Sequence, residues 1–135
     1  VNLLTMLALK KGKITVFGGQ QTRPNIHIQD LIRVYMHFLI KPELPSGNYN
    51  AGFENISILD IAKQVQEKVP AEIIISESND PRSYRQNSDK LKATGFAQKY
   101  FIKDAIDEVI AKYRSGELKD EEQCYNVKWM KRLSL

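Results

Sequence analysis

Arg23 stands in a polar run, Gly18-Gly19-Gln20-Gln21-Thr22-Arg23-Pro24-Asn25, and its planar guanidinium suits two-point hydrogen bonding to phosphate oxygens. A second run, Asn79-Asp80-Pro81-Arg82-Ser83-Tyr84-Arg85, sets two arginines around a hydroxyl and an aromatic, with a carboxylate in reach. Such a loop can grip a ribose diol through Asp80 and a diphosphate through Arg82. Asn2 offers an amide near the start of the chain. Taken singly, each has an ordinary alternative. A loop arginine is solvated, Asp-Pro forms turns, and Asn caps helices. His27 lies between Ile26 and Ile28 with no Ser or Cys nucleophile motif beside it, and His37 falls on a separate helix. His27 is therefore read as structural, with a ring nitrogen bonded to backbone.

Several kinds of chemistry lack their residues. The glycines never form G-x-G-x-x-G, so no dinucleotide-binding turn is present. There is no P-loop, no metal-ligand cluster and no convincing acid–base carboxylate pair. No tyrosine is followed four residues later by lysine; Tyr84 is followed by Ser88 and Tyr35 by Leu39. The single cysteine, Cys124, has no partner for a disulfide or a zinc site and reads as a spectator in a reducing, cytoplasmic setting.

The elements that must position these residues follow from periodicity. Residues 2–11 read as a helix with Leu3, Leu4, Leu7 and Ala8 on one side, ended by Gly12. Lys13 to Phe17 is a strand closed by Gly18-Gly19. Gln20 to Asn25 is expected to be a polar loop, and Ile26-His27-Ile28 a short extended piece. Asp30 is the expected N-cap of a helix carrying Leu31, Val34, Tyr35 and Phe38 at i, i+3, i+4 and i+7, ending near Lys41-Pro42.

Gly47 to Gly52 reads as a short strand. Ser57-Ile58-Leu59-Asp60 resembles a capping box ahead of Ile58, Ala62, Val65 and Val69, and Pro70 stops that helix. Glu72 to Ser76 reads as a buried strand. Ser88 is expected to cap a helix over 89–94 that ends at Gly95. Ala105, Ile106, Val109, Ile110 and Tyr113 form the face of another helix. The interleaving predicts an α/β class. Residues 1–116 form the main unit, and 117–135 a charged tail, helical or extended, that Trp129 and Met130 dock onto a neighbour.

With 135 residues, 42% hydrophobic and 27% charged, the chain has ordinary globular composition. No apolar run approaches the roughly 18 residues of a membrane span. The net charge of +4 is scattered apart from Lys10-Lys11-Gly12-Lys13 and Lys128 to Arg132. That balance fits a solvated face or a phosphate-bearing small molecule better than nucleic acid. The opening Val1-Asn2-Leu3-Leu4 has no cap of the usual placing before it, and the strands are few and short. Both suggest a piece of something longer.

Read in order, several short motifs share one pattern. They are Asn2; Gly12-Lys13-Ile14-Thr15-Val16-Phe17-Gly18; Thr22-Arg23-Pro24-Asn25-Ile26-His27-Ile28-Gln29-Asp30-Leu31; Gly47 to Gly52; Ser57 to Ala62; Asp80 to Tyr84; and Asp89-Lys90-Leu91 to Gly95-Phe96. Over residues 1–113 this resembles the C-terminal, substrate-binding portion of extended short-chain dehydrogenase/reductases of Rossmann type, the UDP-glucose 4-epimerase-like nucleotide-sugar epimerase/dehydratase group. The Arg-Pro-x-Ile-His-Ile-x-Asp run is its strongest element.

The resemblance implies that Arg23 binds a substrate diphosphate and that Asn2 contacts it. It implies that the strand from Thr15 to Phe17 lies along the nucleotide base, and that the Asp80–Arg82 loop closes over ribose and phosphate. It further implies NAD(P), bound mainly outside these residues in an N-terminal Rossmann domain, and a homodimeric longer enzyme. Two departures stand out. Glu77 occupies a position where some epimerases carry arginine, leaving Arg82 or Arg85 to substitute. The Tyr-x-x-x-Lys catalytic pair is missing, so no catalytic residue is assigned here. The alternative is an inactive relative that serves as a nucleotide- or protein-binding module.

Overall fold

The computed structural model describes residues 1–78, 80 and 82–133. Helix α1 (Asn2–Lys11) opens the chain and ends where Gly12 turns left-handed at φ 60°, its N–H donating to Ala8 O. A side chain there would be strained, which explains the glycine. Strand β1 (Lys13–Phe17) follows, then β2 (Thr22–Asn25), α2 (Ile28–Leu39), β3 (Glu54–Ser57), α3 (Ile58–Lys68) and β4 (Glu72–Ser76). The short α4 (Asp89–Lys92), then α5 (Ile102–Arg114), a 3-10 turn (Glu122–Cys124) and α6 (Asn126–Arg132) complete the described elements.

The strands make two small sheets. β1 pairs in parallel with β4, Lys13 opposite Glu72 and Phe17 opposite Ser76. β2 pairs antiparallel with β3, Thr22 opposite Ser57 and Asn25 opposite Glu54. The main core forms where α1, α3 and α5 cover one face of β1 and β4. Ile14 and Val16 point into it from β1, with Ile61, Ala62 and Val65 from α3 and Ile102, Ile106 and Ile110 from α5. Alternation along β1 buries Ile14 and Val16 and leaves Phe17 exposed. A second core gathers Val34, Leu91 and Phe96 under α2. No described helix is long and apolar enough to cross a membrane.

Several expectations are corrected. The run from Gln20 to Asn25 is only partly loop, because Thr22–Asn25 pair with a distant strand. That partner is Glu54–Ser57, whereas Gly47 to Gly52 carries no strand. Ile26-His27-Ile28 is not an extended piece throughout. His27 is the N-cap of α2, its Nδ1 accepting from Gln29 N at 3.1 Å, and Ile28 is already helical.

Asp30 is not the cap. It sits one turn later, fully buried, where its carboxylate accepts from the N–H groups of Lys99 and Tyr100 and from Arg33. Ser88 makes no side-chain cap either. Its hydroxyl accepts from Gly52 N and donates to Gly52 O, both at 3.0 Å, while Asn87 Oδ1 accepts from Asp89 N.

The isoleucine-rich β4 is not buried: Ile75 is 57% exposed, since among the described residues β4 has only β1 beside it and helices on one face. The inner face of α1 is Leu4, Thr5, Met6 and Ala8, with Leu3 exposed. By contrast, Ser57 caps α3 as expected, accepting from Asp60 N and donating to the Asp60 carboxylate. In the tail, Lys10 pairs with Asp120, which also accepts from Tyr125 Oη at 2.7 Å.

Candidate functional site

The β1–β2 turn and the segment after β4 meet at one end of the molecule. Tyr84 N donates to Thr22 O at 3.1 Å, and Ser83 Oγ accepts from Thr22 N at 2.9 Å, so residues 83–84 run beside the start of β2. This pairing brings Arg23 against Asp80. One guanidinium nitrogen, Nη2, lies 3.5 Å from Asp80 Oδ2, while Nη1 donates to Thr22 O at 3.0 Å and to Arg82 O. The guanidinium carbon sits 4.6 Å from the centre of the Tyr84 ring, a cation–π arrangement. Arg23 is thus half-buried and held from several sides.

Asp80 is the hub. Arg82 grips it in a forked pair, Nε to Oδ1 at 2.6 Å and Nη2 to Oδ2 at 2.9 Å, and Arg82 N donates to Oδ1 at 3.1 Å. These hydrogen bonds, with Arg23 beyond them, push the Asp80 carboxyl down to about 2 from the usual 3.8. The same contact raises the Arg82 guanidinium above its ordinary value. Two cations therefore converge on one carboxylate at an exposed surface. An anionic ligand offering more oxygens can engage the same guanidinium edges.

Of the residues expected from the sequence, Arg23, Asp80 and Arg82 come together. Phe17 adjoins them: the residue is 61% exposed at the end of β1, and its carbonyl accepts from Gln21 Nε2, which also reaches Asp80 O. Thr15 lies two residues back on β1, half-buried opposite Ile74. Asn2 is elsewhere. It lines a mostly apolar cavity of about 970 Å³ between the start of α1, the β2–α2 junction, α5 and the tail. Among the described residues no hydrogen bond joins Asn2 to Arg23, Asp80 or Arg82.

The buried His27 faces that same cavity. Its Nε2 lies 3.4 Å from Glu108 Oε2 and its ring stacks on Tyr100, a structural placement in keeping with the sequence reading. Asn79 and Pro81 of the expected loop lie outside the described residues.

Two members of the site carry no distinguishing mark in the sequence. Gln21 looks like any polar loop residue in the sequence, yet it is 9% exposed. Tyr84 reads in the sequence as an aromatic between arginines, and its ring is the platform under Arg23. Among the described residues no group of three or more His, Cys, Asp or Glu gathers as metal ligands.

No family model matches the chain. Its backbone resembles dTDP-glucose 4,6-dehydratase from Bacillus anthracis in complex with NAD, with a TM-score of 0.70 and 23% identity over 85% of this chain and 38% of that one. It also resembles a GDP-D-glycero-L-gluco-heptose synthase from Campylobacter jejuni in the presence of NADPH, with a TM-score of 0.64 and 20% identity over 81% and 35%. The chain has the α/β fold of this portion of those Rossmann-type enzymes.

In sequence it is 28% identical over 95 residues to anthocyanidin reductase ((2S)-flavan-3-ol-forming) of Vitis vinifera, covering 68% of this chain and 28% of that protein. The chain therefore spans well under half the length of each of these proteins.

Proposed function

We propose that this chain is the nucleotide-sugar-binding part of an NAD(P)-dependent epimerase, dehydratase or reductase of the extended short-chain dehydrogenase/reductase family, with Arg23 as its main diphosphate ligand. The observation that carries the reading is the convergence of Arg23 and Arg82 on Asp80 beside the open face of Phe17. A diphosphate offers more acceptor oxygens and more charge than one carboxylate. It competes for both guanidinium groups and frees Asp80 to accept from ribose hydroxyls. Arg23 is already ordered by Tyr84 and two backbone carbonyls, so little rotamer freedom is lost on binding. The Phe17 ring gives a flat apolar surface for a base.

NAD(P), when bound in the longer protein, supplies hydride acceptance and return. The residues of this chain do not fit it. β1 runs through Gly18-Gly19 into β2 and not into a helix, so this glycine-bearing strand end offers no helix start to a dinucleotide pyrophosphate. The sugar chemistry is likewise assigned outside this chain, which lacks Tyr-x-x-x-Lys. The chain's own contribution is to fix the nucleotide end so that the sugar is positioned for reaction.

The outward side of α2 supports a partner domain: Ile28, Ile32, Tyr35, Met36, Leu39 and the following Ile40 are 48–73% exposed, more than isolated surface hydrophobics require. A homodimeric enzyme in the cytoplasm completes the proposal.

Titration with a nucleoside diphosphate sugar, the corresponding nucleoside and inorganic phosphate tests the reading. The sugar nucleotide is expected to bind at least about tenfold more tightly than the nucleoside, with affinity falling as salt rises. Equal affinities for nucleoside and sugar nucleotide would remove the diphosphate role.

A further inference from the structure

The anion site sits on an exposed loop, yet its geometry is tied to the interior by one side chain. Gln21 lies between the glycine turn and β2, 9% exposed. Its Oε1 accepts from Gly19 N at 2.8 Å. Its Nε2 lies 3.3 Å from Phe17 O, 3.1 Å from Asp80 O and 3.4 Å from Ser78 Oγ. One primary amide thus spans the end of β1, the turn after it and a loop 59 residues away in sequence. Ser78 Oγ in turn accepts from Asp80 N at 3.1 Å, so both backbone sides of Asp80 are held.

We infer that Gln21 is the positioning residue of the diphosphate site, clamping the Asp80 backbone to the β1 turn so that Asp80, Arg82 and Arg23 stand at fixed spacing. This deepens the proposed function and rests on it for its meaning, though the clamp itself is independent of any ligand. The amide is specifically required. Its donor end faces two carbonyl oxygens, of Phe17 and Asp80, which would repel a carboxylate there. A methionine would fill the space and make none of the bonds.

A second position carries the same demand. Gly18 has φ +73°, and a Cβ built on it would stand 2.5 Å from Gln21 Nε2. Glycine at 18 is the space into which the Gln21 amide fits. Because Gln21 reaches both the Phe17 carbonyl and the Asp80 carbonyl, it couples the strand end proposed to face the base to the loop proposed to face the diphosphate. It does this without touching either ligand group.

The test compares the wild type with Gln21→Glu, Gln21→Met and Gly18→Ala, first without ligand. Amide exchange at Arg82 and Tyr84, whose N–H groups bond Asp80 Oδ1 and Thr22 O, is expected to accelerate at least tenfold in all three variants, with core amides such as Ile106 and Ile110 unchanged. If Gln21→Glu fails to fold, Gln21→Met and Gly18→Ala give the same readout. Unchanged exchange at Arg82 and Tyr84 in folded variants would overturn the inference.

In the longer enzyme, Gln21→Met is then expected to raise KM for the nucleotide sugar at least fivefold with kcat within twofold. Accelerated exchange in a protein whose wild type binds no nucleotide sugar would keep the clamp and discard the binding reading. A fall in kcat with KM unchanged would contradict a positioning role.

Discussion

Asp30 and Asp80 are both carboxylates held by arginine and by backbone N–H groups, and they serve opposite ends. Asp30 has no exposed surface. Its partners are Arg33 and the N–H groups of Lys99 and Tyr100, about seventy residues away, so it fastens α2 to the segment leading into α5. Asp80 lies at the surface, and its main partner is Arg82, two residues on. Burial separates the roles. A carboxylate sealed from water cannot exchange partners without leaving unsatisfied donors, so Asp30 is scaffold. A carboxylate in water can trade its cations for a ligand at small cost, so Asp80 is suited to a site that opens and closes.

The largest effect should come from breaking the sealed member. Asp30→Ala leaves the part-buried N–H groups of Lys99 and Tyr100 without their carboxylate acceptor and removes the ion pair of Arg33, and should cost about 3 kcal/mol in denaturant unfolding. Asp80→Ala should move the unfolding midpoint far less, since its pairing is made at the surface. Equal effects at the two positions would erase the distinction.

A neutral buried clasp sharpens the scale. Ser88→Ala removes the hydroxyl that both donates to and accepts from Gly52, and should cost about 1–3 kcal/mol, less than Asp30→Ala. A loss below a few tenths would mean that Gly52 finds other partners.

The smallest effect is a matter of pH. The Asp80 carboxyl is pulled down to about 2 from 3.8, so its pairing adds stability that is complete above about pH 4. That contribution is lost as pH falls through about 2. The Asp80 carboxyl carbon should therefore titrate near 2 in the native loop, and Arg82→Ala should move the midpoint up toward 3.8. A midpoint near 3.8 in the wild type would show that Arg82 does not hold it.

The same comparison explains what was legible in the sequence. α1, β1, α3, β4 and α5 announce themselves through local signals: Gly12 after an apolar run, Ser57 and Asp60 around a helix start, and Ala105, Ile106, Val109, Ile110 and Tyr113 at helical spacing. β2 and β3 do not. Thr22–Asn25 and Glu54–Ser57 are four residues each, half-buried throughout, and exist because they pair across some thirty residues. Asp30 fits the preferences for a helix cap, yet His27 takes that position and Asp30 turns inward to donors that lie far along the chain.

The isoleucines of β4 predict a buried strand. Their exposure depends on how many strands and helices surround them, which no local pattern encodes. The site divides in the same way. Arg23 and the Asp80–Arg82 run were readable as separate pieces of anion chemistry. Their meeting depends on Thr22 pairing with Ser83 and Tyr84, and on the Gln21 amide, neither of which leaves a mark in residue types alone.

The diphosphate site depends above all on Arg23. Isothermal titration of a nucleoside diphosphate sugar into the wild-type protein and the Arg23→Ala variant, both made as the proposed longer enzyme, measures its role directly. The variant is expected to bind at least tenfold more weakly, about 1.4 kcal/mol, with an unchanged unfolding midpoint. Equal affinity in the two proteins would contradict the assignment of the Arg23, Asp80 and Arg82 cluster as the diphosphate site.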